Sequence, residues 1–164
     1  LQRRRFPAQI LQLLNHDSDS PLKGLISTPT TPDGIIKDNS ILKMLENSLS
    51  DGVLYRFRDP HSGDSDVKTI ITVLKNYWGA VKLVFQAAWG RPPRESRLMH
   101  GAGIISLGFL MDAIADRHRK KRIVDLTTFA KDLEPMRDEC RWTDGYWDFG
   151  PGAQRKWNEM GMEK

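Results

Sequence analysis

Hydrophobic residues recur every three or four positions along most of the chain, and this spacing predicts a mainly α-helical protein. The longest such pattern runs from Asp66 to Trp89, where Gly90 and the prolines that follow end it. The same period predicts shorter helices near residues 7–14, 40–51, 98–115 and 125–142. We therefore expect a compact bundle of five to six helices, built around the pair formed by residues 66–89 and 98–115.

A small β element is predicted between the first two helices. The short apolar runs LKGLIS and GIIKD flank TPTTPDG, a segment rich in turn-forming residues. This arrangement predicts a two-stranded element near residues 22–37. Asn15 is expected to end the first helix in a left-handed conformation, and Gly52 lies just past the end of the second.

The stretch RLMHGAGIISLGFLMDAIADRHRKKR, from Arg97 to Arg122, has three interpretations. A membrane span needs about 20 apolar residues, and His100 and Asp112 bracket fewer than that. A phosphate-binding loop needs a different glycine spacing or a Lys-Ser or Lys-Thr pair after the last glycine. The remaining interpretation is a core helix, apolar on all sides and centrally buried, whose basic C-terminal end lies in water.

Length and composition indicate one globular domain. The chain has 164 residues, a net charge of +4 and a pI near 9.3, which is compatible with an anionic partner. Its single cysteine, Cys140, cannot form an internal disulfide, which fits a reducing compartment, and we expect a cytoplasmic protein. We expect no membrane segment, because the apolar stretch between His100 and Asp112 is too short. Because the sequence does not begin with Met, we expect residues 1–164 to be the C-terminal part of a longer protein. The aromatic-rich tail, residues 141–164, is expected to dock on the helices.

No catalytic or metal-binding constellation is predicted. The four histidines, His16, His61, His100 and His118, lie far apart, and one cysteine cannot supply a set of thiolate ligands. A nucleophile elbow of the G-x-S-x-G type is absent from the sequence. Arg97 and His100 remain possible functional residues, with His100 either an acid–base group or a helix-capping residue.

Basic residues are the strongest signal outside the predicted core. The candidate nucleic-acid-binding residues are Arg117, Arg119, Lys120, Lys121, Arg122, Arg91 and Arg94. If the fold brings two basic segments together, they form a patch that binds phosphates without regard to base sequence. The alternative is a helix end that is simply solvated. The aromatic tail could similarly stack bases or, alternatively, cover an edge of the core.

Three segments of the chain resemble the DGQHR-domain family, which includes DndB-like DNA-modification proteins. They are LLNHDSDSPLKGLISTPTTPDGIIKDNSILKML, NYWGAVKLVFQAAWG and SRLMHGAGIISLGFLMDAI, and the likeness spans roughly residues 10–115. The motif Asp-Gly-Gln-His-Arg that names the family is absent from this chain. The resemblance therefore implies only the helical C-terminal portion of such a protein, and it transfers no catalytic residue.

The resemblance implies a role in bacterial DNA modification or defence, with DNA contact and ATP use by the intact protein. We expect DNA, an upstream region of the same protein and a second copy of the chain as partners, and no cofactor in this chain. One hypothesis is an accessory or regulatory domain that contacts the DNA backbone. A second is part of a ParB-like nucleotide-hydrolysing enzyme whose catalytic motif lies upstream. A third is a helical protein-interaction module.

Overall fold

The computed structural model describes residues 4–58 and 66–161, so His61 lies outside the described residues. The protein is mainly helical and carries two small two-stranded sheets, which confirms the predicted fold class. Its α-helices are α1 (Arg5–His16), α2 (Asp38–Asp51), α3 (Val67–Val84), α4 (Gly101–Arg117) and α5 (Leu126–Leu133). Its strands are β1 (Ile26–Ser27), β2 (Ile36–Lys37), β3 (Tyr146–Asp148) and β4 (Gln154–Lys156).

Three of the helices are capped by a side chain that accepts a hydrogen bond from a backbone N–H group: Asp66 caps α3, His100 caps α4 and Asp125 caps α5. Asp66 accepts a hydrogen bond from the N–H of Thr69 at 3.0 Å, and Asp125 accepts one from the N–H of Thr128.

The longest predicted helix, residues 66–89, corresponds to α3 and ends at Val84 rather than Trp89. The backbone of Phe85 leaves the helical conformation, and turns follow it. The helix is therefore shorter than its hydrophobic pattern.

The predicted β element is confirmed, and its strands are parallel, with Ile26 paired to Ile36. Asn15 does not take the left-handed conformation expected of it, because it lies within α1. Its buried side-chain amide instead donates to the carbonyl of Ile26 at 3.0 Å, and its oxygen accepts from the same residue's N–H at 3.1 Å. A side chain thus joins α1 to β1.

The closest helix packing joins α2 to α4 and α3 to α5. The expected central pair, α3 and α4, instead meets through the Tyr77 hydroxyl, which donates to the carbonyl of Leu107 at 2.5 Å. Helices α2 and α4 run parallel, since Met44 lies against Gly108 and the Ser48 hydroxyl donates to Asp112 one turn further along both. A Cβ atom on Gly108 would lie 2.5 Å from Met44, so the glycine permits this close approach.

Helix α4 is not apolar and buried on all sides, as the sequence led us to expect. Ser106, Phe109 and Ala113 form an exposed face, and Phe109 keeps 56% of its surface accessible. Residues on the opposite side, including Ile104 and Met111, are completely buried. The prediction was wrong because an apolar sequence does not show which of its faces a neighbouring helix covers.

The bundle has two distinct ends. Arg122 lies beside Asp66 and over the ring of Phe57, so α3 begins where α2 and α4 finish. We call this the basic end. At the opposite end, here called the aromatic end, Trp142 packs edge-to-face on Phe85 with ring centroids 5.7 Å apart.

The tail forms an antiparallel β3–β4 hairpin, which the sequence analysis did not predict. Its signal was present, because the Gly-Pro-Gly turn at residues 150–152 separates YWDF from AQRK. The tail is joined to the bundle by Arg97, whose backbone N–H donates to the carbonyl of Trp142 at 2.7 Å. Across both described ranges, none of the helices has the length and hydropathy that crossing a membrane requires.

Candidate functional site

The basic segment, residues 117–122, lies at the basic end and begins where α4 finishes. Arg117 is the last residue of α4, and His118 starts a series of turns and bends. The side chains of Arg119, Lys120 and Lys121 are exposed. The sequence pattern predicted these cations at the helix end, whereas most of them lie in the loop that follows it.

Acidic neighbours neutralise part of the basic segment. Asp132 of α5 lies 2.8 Å from the ring of His118 and 3.6 Å from the guanidinium of Arg117. Arg122 lies 3.3 Å from the carboxylate of Asp66. These contacts tie both ends of the segment to helices and leave its middle projecting.

The middle of the segment carries the cations without acidic partners. Within the described ranges, Arg119 and Lys120 form no side-chain hydrogen bond or ion pair, and Lys121 donates to the Thr128 hydroxyl at 3.0 Å. Their charges are therefore not compensated by direct contacts, which is what a phosphate-binding surface requires.

Two arginines at the basic end were missed by the sequence analysis. Arg56 lies 3.7 Å from Asp116, and Arg58 donates to the carbonyl of Leu49 at 3.2 Å. Both are exposed and belong to the short segment that follows α2. Only the parallel packing of α2 on α4 brings this segment near residue 116, so no local pattern could have indicated it.

Arg91 and Arg94 lie at the other end of the molecule. Both are exposed and follow the C-terminal end of α3, whereas Arg122 contacts the residue that caps its N-terminal end. At 1.5 Å per residue, the 18 residues of α3 separate its ends by about 27 Å. The fold thus does not bring these two arginines together with the basic segment.

Arg97 and His100 are neighbours at the start of α4, and each has a structural contact. Arg97 is only 7% exposed, and its guanidinium donates twice to the carbonyl of Met160, at 2.8 and 2.5 Å. His100 caps α4, because its Nδ1 accepts from the N–H of Ala102 at 3.0 Å. Burial, followed by the positive charges of Arg97 and Lys37, lowers the pKa of His100.

These contacts engage the Arg97 guanidinium and the Nδ1 atom of His100. The capping interaction needs a neutral imidazole with an unprotonated Nδ1, and the lowered pKa favours that form at neutral pH. The Arg97 guanidinium already holds the tail. A functional role for either residue in an intact nucleotide-hydrolysing protein stays a prediction.

The surroundings of Cys140 determine its reactivity, and the placement of possible ligands determines whether the described part of the chain can hold a metal ion. Burial raises the pKa of the Cys140 thiol to about 11, so the thiol is protonated at neutral pH and is a poor nucleophile. Residues 4–58 and 66–161 contain no group of three His, Cys, Asp or Glu side chains placed to hold a metal ion.

Compared with protein-family models, curated proteins and solved structures, the chain matches none of them. The likeness to DGQHR-domain proteins stays a prediction, and any function has to be argued from the residues described above.

Proposed function

We propose that this chain is an accessory or regulatory helical domain that contacts the DNA backbone through the basic segment. We place it in a bacterial DGQHR-type protein associated with DNA modification or defence, in keeping with the resemblance of residues 10–115 to that family. The observation that carries the DNA contact is the exposed pair Arg119 and Lys120, which has no acidic partner among the described residues.

The surrounding charges set the kind of binding expected. Arg119, Lys120 and Lys121 can each approach a phosphate, while Asp66 and Asp132 weaken the positive field at the two ends of the segment. Because few side chains contact phosphates and part of the positive charge is neutralised, we expect weak binding to DNA. The dissociation constant should lie in the range of about 10⁻⁴ to 10⁻⁶ M that is typical of non-specific complexes. Because the contacts are to phosphates, affinity falls with salt and does not depend on base sequence.

A DNA titration at two ionic strengths tests this proposal. Alanine at Arg119, Lys120 and Lys121 should reduce the slope of log K against log salt by roughly 2 to 3, because each phosphate contact contributes about 0.9. Fluorescence anisotropy of a labelled duplex provides the measurement.

The matched control replaces three exposed lysines elsewhere, Lys23, Lys43 and Lys82, with alanine. It changes the net charge by the same amount and should leave the slope nearly unchanged. Equal losses in the two variants would show that net charge rather than the basic segment drives binding.

A protein-interaction module is the second candidate, and the exposed face of α4 favours it. Phe109 is 56% exposed in the middle of the helix, with Ser106 and Ala113 on the same face. If a second copy covers this face, the wild-type chain sediments as a dimer and Phe109→Lys sediments as a monomer. A monomeric wild-type chain would remove this alternative for self-association.

A further inference from the structure

A cleft of about 420 Å³ lies at the aromatic end, far from the basic segment. One wall is the last turn of α3 with the residues that follow it, including Leu83, Val84 and Phe85. The other wall is formed by residues 137–144, including Trp142 and Asp144. The volume lies within the range of about 300 to 1,000 Å³ that is typical of small-molecule sites.

Among the residues that line this cleft, the uncompensated charge is negative. Asp144 is exposed, and its carboxylate forms no hydrogen bond or ion pair with any described residue. The last carbonyl groups of a helix such as α3 carry partial negative charge, and Leu83 and Val84 belong to that turn.

The cationic side chain in the lining is already compensated. Arg137 donates to the carbonyl of Val84 at 3.1 Å and lies 2.9 Å from the carboxylate of Glu134. The Cys140 thiol adds no charge at neutral pH, because burial raises its pKa to about 11. Among the residues that line the cleft, an anion would therefore meet Asp144 without a free cation to bind it. Arg141 is exposed on the same segment and lies outside the lining.

The cleft also has an aromatic wall. The indole of Trp142 is half-buried and is held between Phe85 and Trp147, with interplanar angles of 82° and 78°. An indole attracts cations to its face, and tryptophan does so more strongly than the other aromatic side chains. A fixed indole and a free carboxylate that line the same cleft suit an alkylated ammonium group, which is bulky, apolar at its surface and positively charged.

We propose that the cleft between the end of α3 and residues 137–144 binds a small organic cation with an alkylated ammonium group. Asp144 supplies the charge complementarity, and Trp142 supplies the aromatic contact. The proposal does not depend on the DNA-binding role of the basic segment.

Calorimetric titration of the full chain with choline tests the proposal. The uncharged isostere of choline, in which carbon replaces the nitrogen, has the same shape without the charge. We expect choline to bind in the millimolar range and the isostere to bind about tenfold more weakly. Equal affinity for the two compounds, or no binding of choline, would overturn the proposal.

Two variants locate the binding. Asp144→Asn should weaken choline binding about fivefold or more while leaving the fold intact, since Asp144 is exposed. Asp138→Asn is the matched control, because Asp138 is exposed on the same segment and lies outside the cleft lining. An equal loss in both variants would contradict a local role for Asp144.

The third variant, Trp142→Leu, removes the ring and should abolish the preference for choline over its isostere. Circular dichroism shows whether this variant folds. If it does not, the comparison of Asp144→Asn with Asp138→Asn decides the question alone.

Discussion

The two ends of the helical bundle both carry arginine, but they use it in opposite ways. At the basic end the side chain of Arg119 is exposed and forms no ion pair with a described residue, and at the aromatic end Arg97 is 7% exposed and holds the carbonyl of Met160. A cation that stays in water keeps its charge available to a partner. A buried cation has its charge directed at one internal acceptor, so its contribution is to structure.

The largest expected effect is at Arg97. Arg97→Ala leaves the carbonyl of Met160 without its donor and opens a space beneath the tail, so we expect a loss of about 2 to 4 kcal/mol in the free energy of unfolding. Urea unfolding measures the loss. Arg94→Ala, at an exposed position nearby, should change the free energy of unfolding by less than about 0.5 kcal/mol. Similar values for the two variants would contradict the structural role of Arg97.

The next effect is at the basic end, where the carboxylate of Asp112 lies against Gly52. A Cβ atom at position 52 would lie 2.2 Å from the Asp112 carboxyl carbon, so Gly52→Ala should destabilise the protein by about 1 to 3 kcal/mol. Asp112 also accepts from the N–H of Val53 at 3.0 Å, a bond that the added methyl group displaces.

A double-mutant cycle isolates this contact. Asp112→Ala removes both the obstacle and its hydrogen bonds, so adding Gly52→Ala to it should cost little more. Strictly additive losses would show that the two residues are not coupled.

A smaller effect concerns pH at the aromatic end. The folded pKa of His100 is lowered from 6.5, so the unfolded chain binds more protons as the pH falls below that value. The stability contributed by neutral His100 is present above about pH 6.5 and is lost as the pH falls through the lowered pKa. Protonation also removes the acceptor for the N–H of Ala102.

His100→Asn keeps a capping oxygen and does not titrate. The fall in the free energy of unfolding between about pH 7 and about pH 5 should therefore be smaller in this variant than in the wild type. His16→Asn, which changes an exposed histidine at the end of α1, serves as the control. The interpretation fails if His16→Asn reduces the pH dependence as much as His100→Asn does.

The smallest effect on stability is expected at the basic segment, where we propose contact with DNA. Arg119→Ala combined with Lys120→Ala should change the free energy of unfolding by less than about 0.5 kcal/mol, because neither side chain has a partner among the described residues. Thermal unfolding is sufficient to measure it. A large loss would mean that these side chains support the fold.

Local sequence patterns predicted where the helices lie, because the apolar positions that a helix buries recur every three or four residues. The last helix, however, ends at Leu133 rather than near residue 142, since Pro135 interrupts it. Local patterns failed where the cause lies far along the chain. Gly52 was predicted to lie just past the end of the second helix, and it does, but its backbone is extended rather than left-handed. The absence of a side chain at Gly52 leaves room for the Asp112 carboxylate. The bond from Arg97 to Met160 joins residues 63 positions apart, and no periodicity indicates it.

The candidate site was predictable in composition and not in arrangement. The run of cations that begins at Arg117 is visible in the sequence, and the structure leaves its middle exposed. Which acids neutralise its ends, and which arginines lie near it, depend on the packing of α5 and α2 against their neighbours.

The most direct test compares the two ends with DNA. Arg119→Ala with Lys120→Ala and Arg91→Ala with Arg94→Ala remove the same charge from exposed positions at opposite ends of the bundle. Duplex binding should lose roughly 2 from its salt slope in the first double variant and almost nothing in the second. Equal slopes in the two variants, or a loss confined to the second, would contradict the assignment of DNA contact to the basic end.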